Sequence, residues 1–166
     1  DVALVDAGVG TVLVRAGDAW ADKAGGTSGA LWGAALRAAG ERLGDAQMPT
    51  AADVAEAVDS ARAAIQNMGK AQVGDKTLVD ALVPFTEELT LRVESGSRLL
   101  DAWGAAAEKA ADAAASTAEL LPRLGRARPH AEKSLGTPDP GAVSFALAMT
   151  AVFDQFTQLD NSQGEQ

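Results

Sequence analysis

The chain has 166 residues, with 14 basic against 23 acidic side chains and a formal net charge of −9, a sign that argues against nucleic-acid binding, whose footprint is a basic face. With 47% hydrophobic residues, this length suffices for one sizeable core and not for two full domains, so residues 1–166 are expected to form a single domain. Cysteine is absent, which excludes disulfides, thiolate metal sites and cysteine nucleophiles. No apolar run reaches the roughly 18 residues of a membrane span, and a cytoplasmic protein is the expectation.

Aromatic residues are 4% of the chain and β-branched residues never sustain a period-two alternation, so the expected class is all-α. The first helix is expected from Thr11 as N-cap, through Val12, Leu13, Ala16, Ala19 and Trp20, to a stop at Gly25 and Gly26. The second runs from those glycines to Gly44, with Leu31, Ala34, Ala35, Ala38 and Leu43 on its apolar side. The third has Thr50 as cap and Asp53 three residues on, then Val54, Val58, Ala61, Ile65 and Met68, ending at Gly69. A loop from Gly69 to Lys76 leads into the fourth, which carries Leu78, Ala81, Leu82, Phe85 and Leu89, with a kink expected at Pro84.

The fifth helix is expected from about Ser97 to Leu121, along Leu99, Leu100, Trp103, Ala106, Ala107, Ala110 and Ala114. Between Pro122 and Pro140 the prolines, glycines and arginines disfavour a regular element, and a loop that long inside a compact domain is more often functional than idle. The sixth helix has Asp139 as N-cap and Pro140 at its first position, followed by Val143, Ala146, Leu147, Thr150 and Phe153. Residues 160–166 read as a polar tail.

Three segments break the pattern of helices and short turns. In Gly25-Gly26-Thr27-Ser28-Gly29-Ala30-Leu31, glycines let the backbone approach a ligand, hydroxyls donate hydrogen bonds, and the free N–H groups of a helix start attract an anion. A tight corner with Thr27 or Ser28 as an ordinary N-cap explains that segment equally well. Gly69-Lys70-Ala71-Gln72-Val73-Gly74-Asp75-Lys76-Thr77 also ends at a helix start, but it lacks the frame of a P-loop and reads more simply as a solvated loop. Gly125-Arg126 and Asp139-Pro140-Gly141 could bring a guanidinium and a helix start to one polar ligand, or be a surface arginine and a well-formed cap. His130 stands alone as an exposed loop residue, and the carboxylates read as a solvated acidic surface.

Together and in this order, these segments resemble the nucleotide-binding L subunit or C-terminal domain of dihydroxyacetone kinases, the DhaL-like or DAK2 domain, from Gly10 to about Phe153. The resemblance implies an antiparallel up-and-down barrel of about eight helices with the loops gathered at one end, so that Thr27, Ser28, Thr77 and Asp139 lie together. It implies an ATP or ADP site in which Thr27 and Ser28 bind phosphate, Thr77 supports it, and Leu31 and Leu78 enclose the adenine. Gly69, Arg126, Asp139, Pro140 and Gly141 complete that pocket. The family also holds Mg²⁺ with the aspartates of a loop reading roughly Gly-Asp-x-Asp-His-Gly. Asp1 and Asp6 only echo its spacing, so no metal ligand is assigned here and the loop is expected upstream of Asp1. The implied partner is a K subunit or domain that presents dihydroxyacetone or a related short ketose. The implied phosphoryl donor is ATP directly, or a phosphotransferase-system phosphocarrier acting through held ADP. A helical interaction or regulatory domain that has lost catalysis is the alternative.

Overall fold

The computed structural model describes residues 6–124 and 133–164, with no strand among them, as the lack of alternation predicts. They carry six α-helices: α1, Val9–Ala24; α2, Gly26–Leu43; α3, Ala51–Gly69; α4, Val79–Glu94; α5, Leu99–Ser116; and α6, Pro140–Gly164. The chain divides into two compact units, Asp1–Lys70 and Ala71–Gln166.

In the first unit, glycine sets the approach of α1 to α2. A Cβ added at Gly17 would lie 2.7 Å from the Gly33 carbonyl oxygen, and one at Gly40 would lie 2.6 Å from that of Gly10. The two backbones therefore approach closely at the start of α1 and again at its middle, as happens only where side chains are missing. A purely periodic reading puts the apolar contact on alanine and leucine. The structure puts it on Gly29, Gly33 and Gly40, which with Ala35 are the buried residues of α2.

The start of α1 also differs from expectation. Its N-cap is Gly8, and Thr11 lies within the first turn because a distant residue supplies the cap. The Thr11 backbone N–H donates to Asp45 Oδ1 at 2.9 Å and its hydroxyl donates to Oδ2 at 2.5 Å, while Gly10 N–H donates to the Gly44 carbonyl. The Thr11 hydroxyl, then the backbone N–H groups, hold the Asp45 carboxyl below the usual carboxylate range. Helix α3 starts as predicted. Asp53 N–H donates to Thr50 Oγ1 and Thr50 N–H donates to Asp53 Oδ2, a complete capping box. Its buried residues are Ala55, Ala57 and Ile65, whereas Met68 is 54% exposed.

The second unit has the larger apolar core. Phe85 of α4 is fully buried, with its ring edge-on to Trp103 of α5 at 5.1 Å and to Phe145 of α6 at 5.6 Å, the favoured aromatic geometry. Five buried alanines of α5, Ala102, Ala106, Ala107, Ala110 and Ala114, let its neighbours close on it. Helix α4 runs on through Pro84. Helix α5 ends earlier than predicted, at Ser116, and a 3-10 helix over Thr117–Glu119 follows, so the chain tightens before Leu121. The tail from Asn161 is helical to Gly164, because α6 continues past its last buried residues.

Candidate functional site

In the first unit the turn from α1 to α2 is a single residue. Gly25 (φ 61°) is the N-cap of α2 and Gly26 (φ 62°) its first residue. A Cβ at either would meet no atom within 4 Å, so these glycines are required by the left-handed backbone and not by space. Because the N-cap is glycine, no side chain caps α2. Neither Thr27 nor Ser28 is the cap; both lie in the first turn with exposed side chains. The first-turn amides of α2 and two hydroxyls thus face solvent at the positive end of a helix, an arrangement that attracts phosphate oxygens. One turn on, half-buried Leu31 lies over the last residue of α3: its Cδ2 would be 3.4 Å from a Cβ on Gly69. The structure therefore brings Thr27, Ser28, Leu31 and Gly69 to one end of this unit. Just beyond, Lys70 is the left-handed C-cap of α3 (φ 57°), its N–H donating to the Gln66 carbonyl.

In the second unit the predicted residues also meet. Leu78 lies against the start of α6, where a Cβ on Gly141 would be 3.3 Å from Leu78 Cβ and 3.4 Å from its backbone nitrogen. Glycine at 141 therefore permits this approach. Asp139 caps α6 as the sequence predicts, its Oδ2 accepting the Ala142 N–H at 2.8 Å, with Pro140 in the first helical position. Thr77 Oγ1 accepts the Val79 N–H at 3.2 Å, which leaves the hydroxyl proton for another acceptor. Arg126 lies outside the described residues.

Three residues absent from the sequence-derived site hold this region together. Asp80, 5% exposed, accepts the N–H groups of Gly74 at 2.5 Å and Thr77 at 2.7 Å. Lys76, also 5% exposed, donates from Nζ to the carbonyls of Leu120 at 3.0 Å and Ser134 at 2.6 Å. Buried Thr117 donates to the Ala114 carbonyl and accepts the Asp139 N–H at 2.7 Å. The segment Gly69 to Lys76 is thus not wholly a solvated loop. The spacing Thr77-x-x-Asp80 carried the signal, being half of a capping box. Nothing in the sequence marks Lys76 as buried.

Burial pushes the Asp139 carboxyl above the usual carboxylate range; the Ala142 and Gly141 N–H groups oppose this, Asp80 adds to it and Lys76 reduces it. No three carboxylates or histidines converge among the described residues. These residues therefore offer Mg²⁺ no cluster of ligands.

A family model described as the DAK2 domain matches residues 2–154. L-erythrulose kinase of Pectobacterium atrosepticum is 60% identical over 146 residues, which are 88% of this chain and 25% of that protein. The ADP-binding subunit DhaL of the PEP-dependent dihydroxyacetone kinase of Escherichia coli is 33% identical over 147 residues, 89% of this chain and 70% of that protein. The crystal structure of the dihydroxyacetone kinase of C. freundii in its native form matches with a TM-score of 0.56 at 27% identity, over 89% of this chain and 24% of that one. The chain thus spans about a quarter of the erythrulose kinase that it resembles.

Proposed function

The chain belongs to the DAK2 domain family, and from that premise we propose that it binds ATP or ADP as the nucleotide-binding region of a short-ketose kinase. The observation that carries this reading is the bare start of α2, with Gly25 as a cap that has no side chain and with Thr27 and Ser28 exposed beside the helix amides. A nucleotide phosphate is the ligand whose charge and oxygen acceptors match those donors. In the first unit Leu31 at Gly69 supplies apolar surface of the kind an adenine ring covers; in the second, Leu78 at Gly141 supplies a surface of the same kind, with the Thr77 hydroxyl proton beside it.

In the proposed reaction the bond from the γ-phosphorus to the β,γ-bridging oxygen of ATP breaks. A new phosphorus–oxygen bond forms to a ketose hydroxyl, ADP leaves with the bridging oxygen, and the hydroxyl proton passes to water. Such a transfer needs positioning and charge compensation more than covalent help. This chain's own part is to hold the phosphates at the α2 amides and hydroxyls and to fix the base. The ketose, dihydroxyacetone or erythrulose, is presented by a K-type partner subunit or domain. Direct transfer from ATP is favoured over a phosphotransferase-system relay. Identity is higher to the erythrulose kinase, at 60%, than to the PEP-dependent ADP-binding subunit, at 33%.

Replacement of Ser28 by alanine tests the phosphate role, since it removes a hydrogen bond to a charged group worth about 1.5–3 kcal/mol. Calorimetric titration should then show ADP affinity reduced by about tenfold or more. Unchanged affinity in a folded variant would make the corner purely structural and favour an interaction domain without catalysis.

A further inference from the structure

The buried lysine in the second unit has no part in the reading above. A lysine ammonium is among the groups least often buried, and its removal from water is costly unless hydrogen bonds replace the solvent. Lys76 has those bonds, and all their acceptors lie far away in sequence: the Leu120 carbonyl, the Ser134 carbonyl, and Ser134 Oγ at 3.4 Å. Its backbone is left-handed, with φ 59°, a conformation that costs a residue with a side chain free energy and persists only where the surroundings enforce it.

The neighbouring bonds follow the same seam. Arg123 N–H donates to the Asp75 carbonyl, and Gly136 N–H donates to that of Ala118; Asp139 N–H donates to Thr117 Oγ1. The 3-10 helix and the residues after it are therefore a shared wall. The turn before α4 is bonded to one end of that wall and the segment entering α6 to the other. The Lys76 side chain bonds both to the wall, at Leu120, and to the segment entering α6, at Ser134, and the next residues along the chain are Thr77 and Leu78.

We propose that Lys76 is the positioning residue of this region: its ammonium clamps the Leu120 and Ser134 carbonyls and so fixes Thr77 and Leu78 against the Asp139 cap and Gly141. The proposal rests on the nucleotide reading for its consequence in binding, but not for its structural claim. The charge of Lys76 also bears on Asp139, which is faced by Asp80 of α4, by the Thr117 hydroxyl of the 3-10 helix and by the amides of α6. Without the ammonium, only the Ala142 and Gly141 N–H groups offset the burial of Asp139 and the charge of Asp80.

The test uses Lys76→Met, which keeps the stem and removes the charge and donors, and Lys76→Gly, which relieves the left-handed backbone as well. The Asp139 carboxyl is titrated by NMR in the wild-type chain and both variants, and ADP affinity is measured across the same pH range. In both variants the Asp139 titration should move to higher pH. ADP affinity should fall about tenfold at neutral pH, its acid limb should move upward with Asp139, and Asp139→Asn should abolish that displacement. Folded variants with an unmoved Asp139 titration and unchanged affinity would overturn the proposal. Loss of the fold in both would also overturn it, making Lys76 a residue of stability alone. If the wild-type chain binds no ADP, the nucleotide reading fails, whereas the Asp139 titration still decides the clamp because it needs no ligand.

Discussion

Replacing Gly33 by alanine tests whether the approach of α1 to α2 is what forms the corner at Gly25. The added Cβ would sit 2.7 Å from Ala21 Cβ and 2.8 Å from the Gly17 carbonyl oxygen, both well inside ordinary contact. Neither neighbour is the far end of a flexible side chain, so the helices themselves must separate. Overpacking of this kind costs about 1–3 kcal/mol. Against it stands the better helix propensity of alanine, about 1 kcal/mol over glycine. Because the obstructing atoms are backbone oxygen and a Cβ, the cost falls in the upper part of its range, and the net loss is about 1–2 kcal/mol. Gly40→Ala, 2.6 Å from the Gly10 oxygen, should behave alike. Gly69→Ala, which meets only the flexible Leu31 side chain at 3.4 Å, should change stability by less than about 0.5 kcal/mol. Urea denaturation followed by circular dichroism measures all three. A Gly33→Ala chain as stable as the wild type would refute the close-packing argument.

Other outcomes follow from the caps. The Asp45 carboxyl is held below its unfolded value, so its stabilisation is complete above the ordinary carboxylate range and is lost as pH falls through the folded value. Asp45→Asn should flatten the acid side of the urea midpoint against pH; a variant with the wild-type profile would show that Asp45 does not cap α1. Asp139 has the opposite sign, being raised by burial, so stability falls as pH rises from the unfolded value through the folded one. Asp139→Asn, which keeps an acceptor for the Ala142 N–H, should therefore be no less stable than wild type at neutral pH. Asp139→Ala should lose about 1 kcal/mol with the cap, and equal stability of the two variants in urea would contradict that assignment.

Sequence periodicity and capping chemistry sufficed where the determinants are local. Thr50 with Asp53, Gly69 at the end of α3, and Asp139 with Pro140 each act within one turn, and the structure has them where the pattern puts them. The misreadings share a cause in distant contacts. Thr11 has the look of an N-cap, yet Asp45 arrives from beyond α2 to cap that helix. Gly33 and Gly40 are not among the residues that periodicity puts on the apolar side of α2, and their worth lies in what α1 places against them. Lys76, between Asp75 and Thr77 in a polar turn, reads as solvated until Leu120 and Ser134 enclose it. The motif segments were legible as helix starts, because glycine, hydroxyl and cap residues mark them. The side chains that hold those starts in place were not.

The most direct test of the account is an NMR titration of ADP into the chain, read at the first-turn amides of α2. Saturable shifts are expected at Gly26, Thr27 and Ser28, which inorganic phosphate reproduces weakly and Ser28→Ala diminishes. If these amides stay unmoved at saturating ADP, or shift no more than those of the α3 start at Ala51, the α2 corner is not a phosphate site.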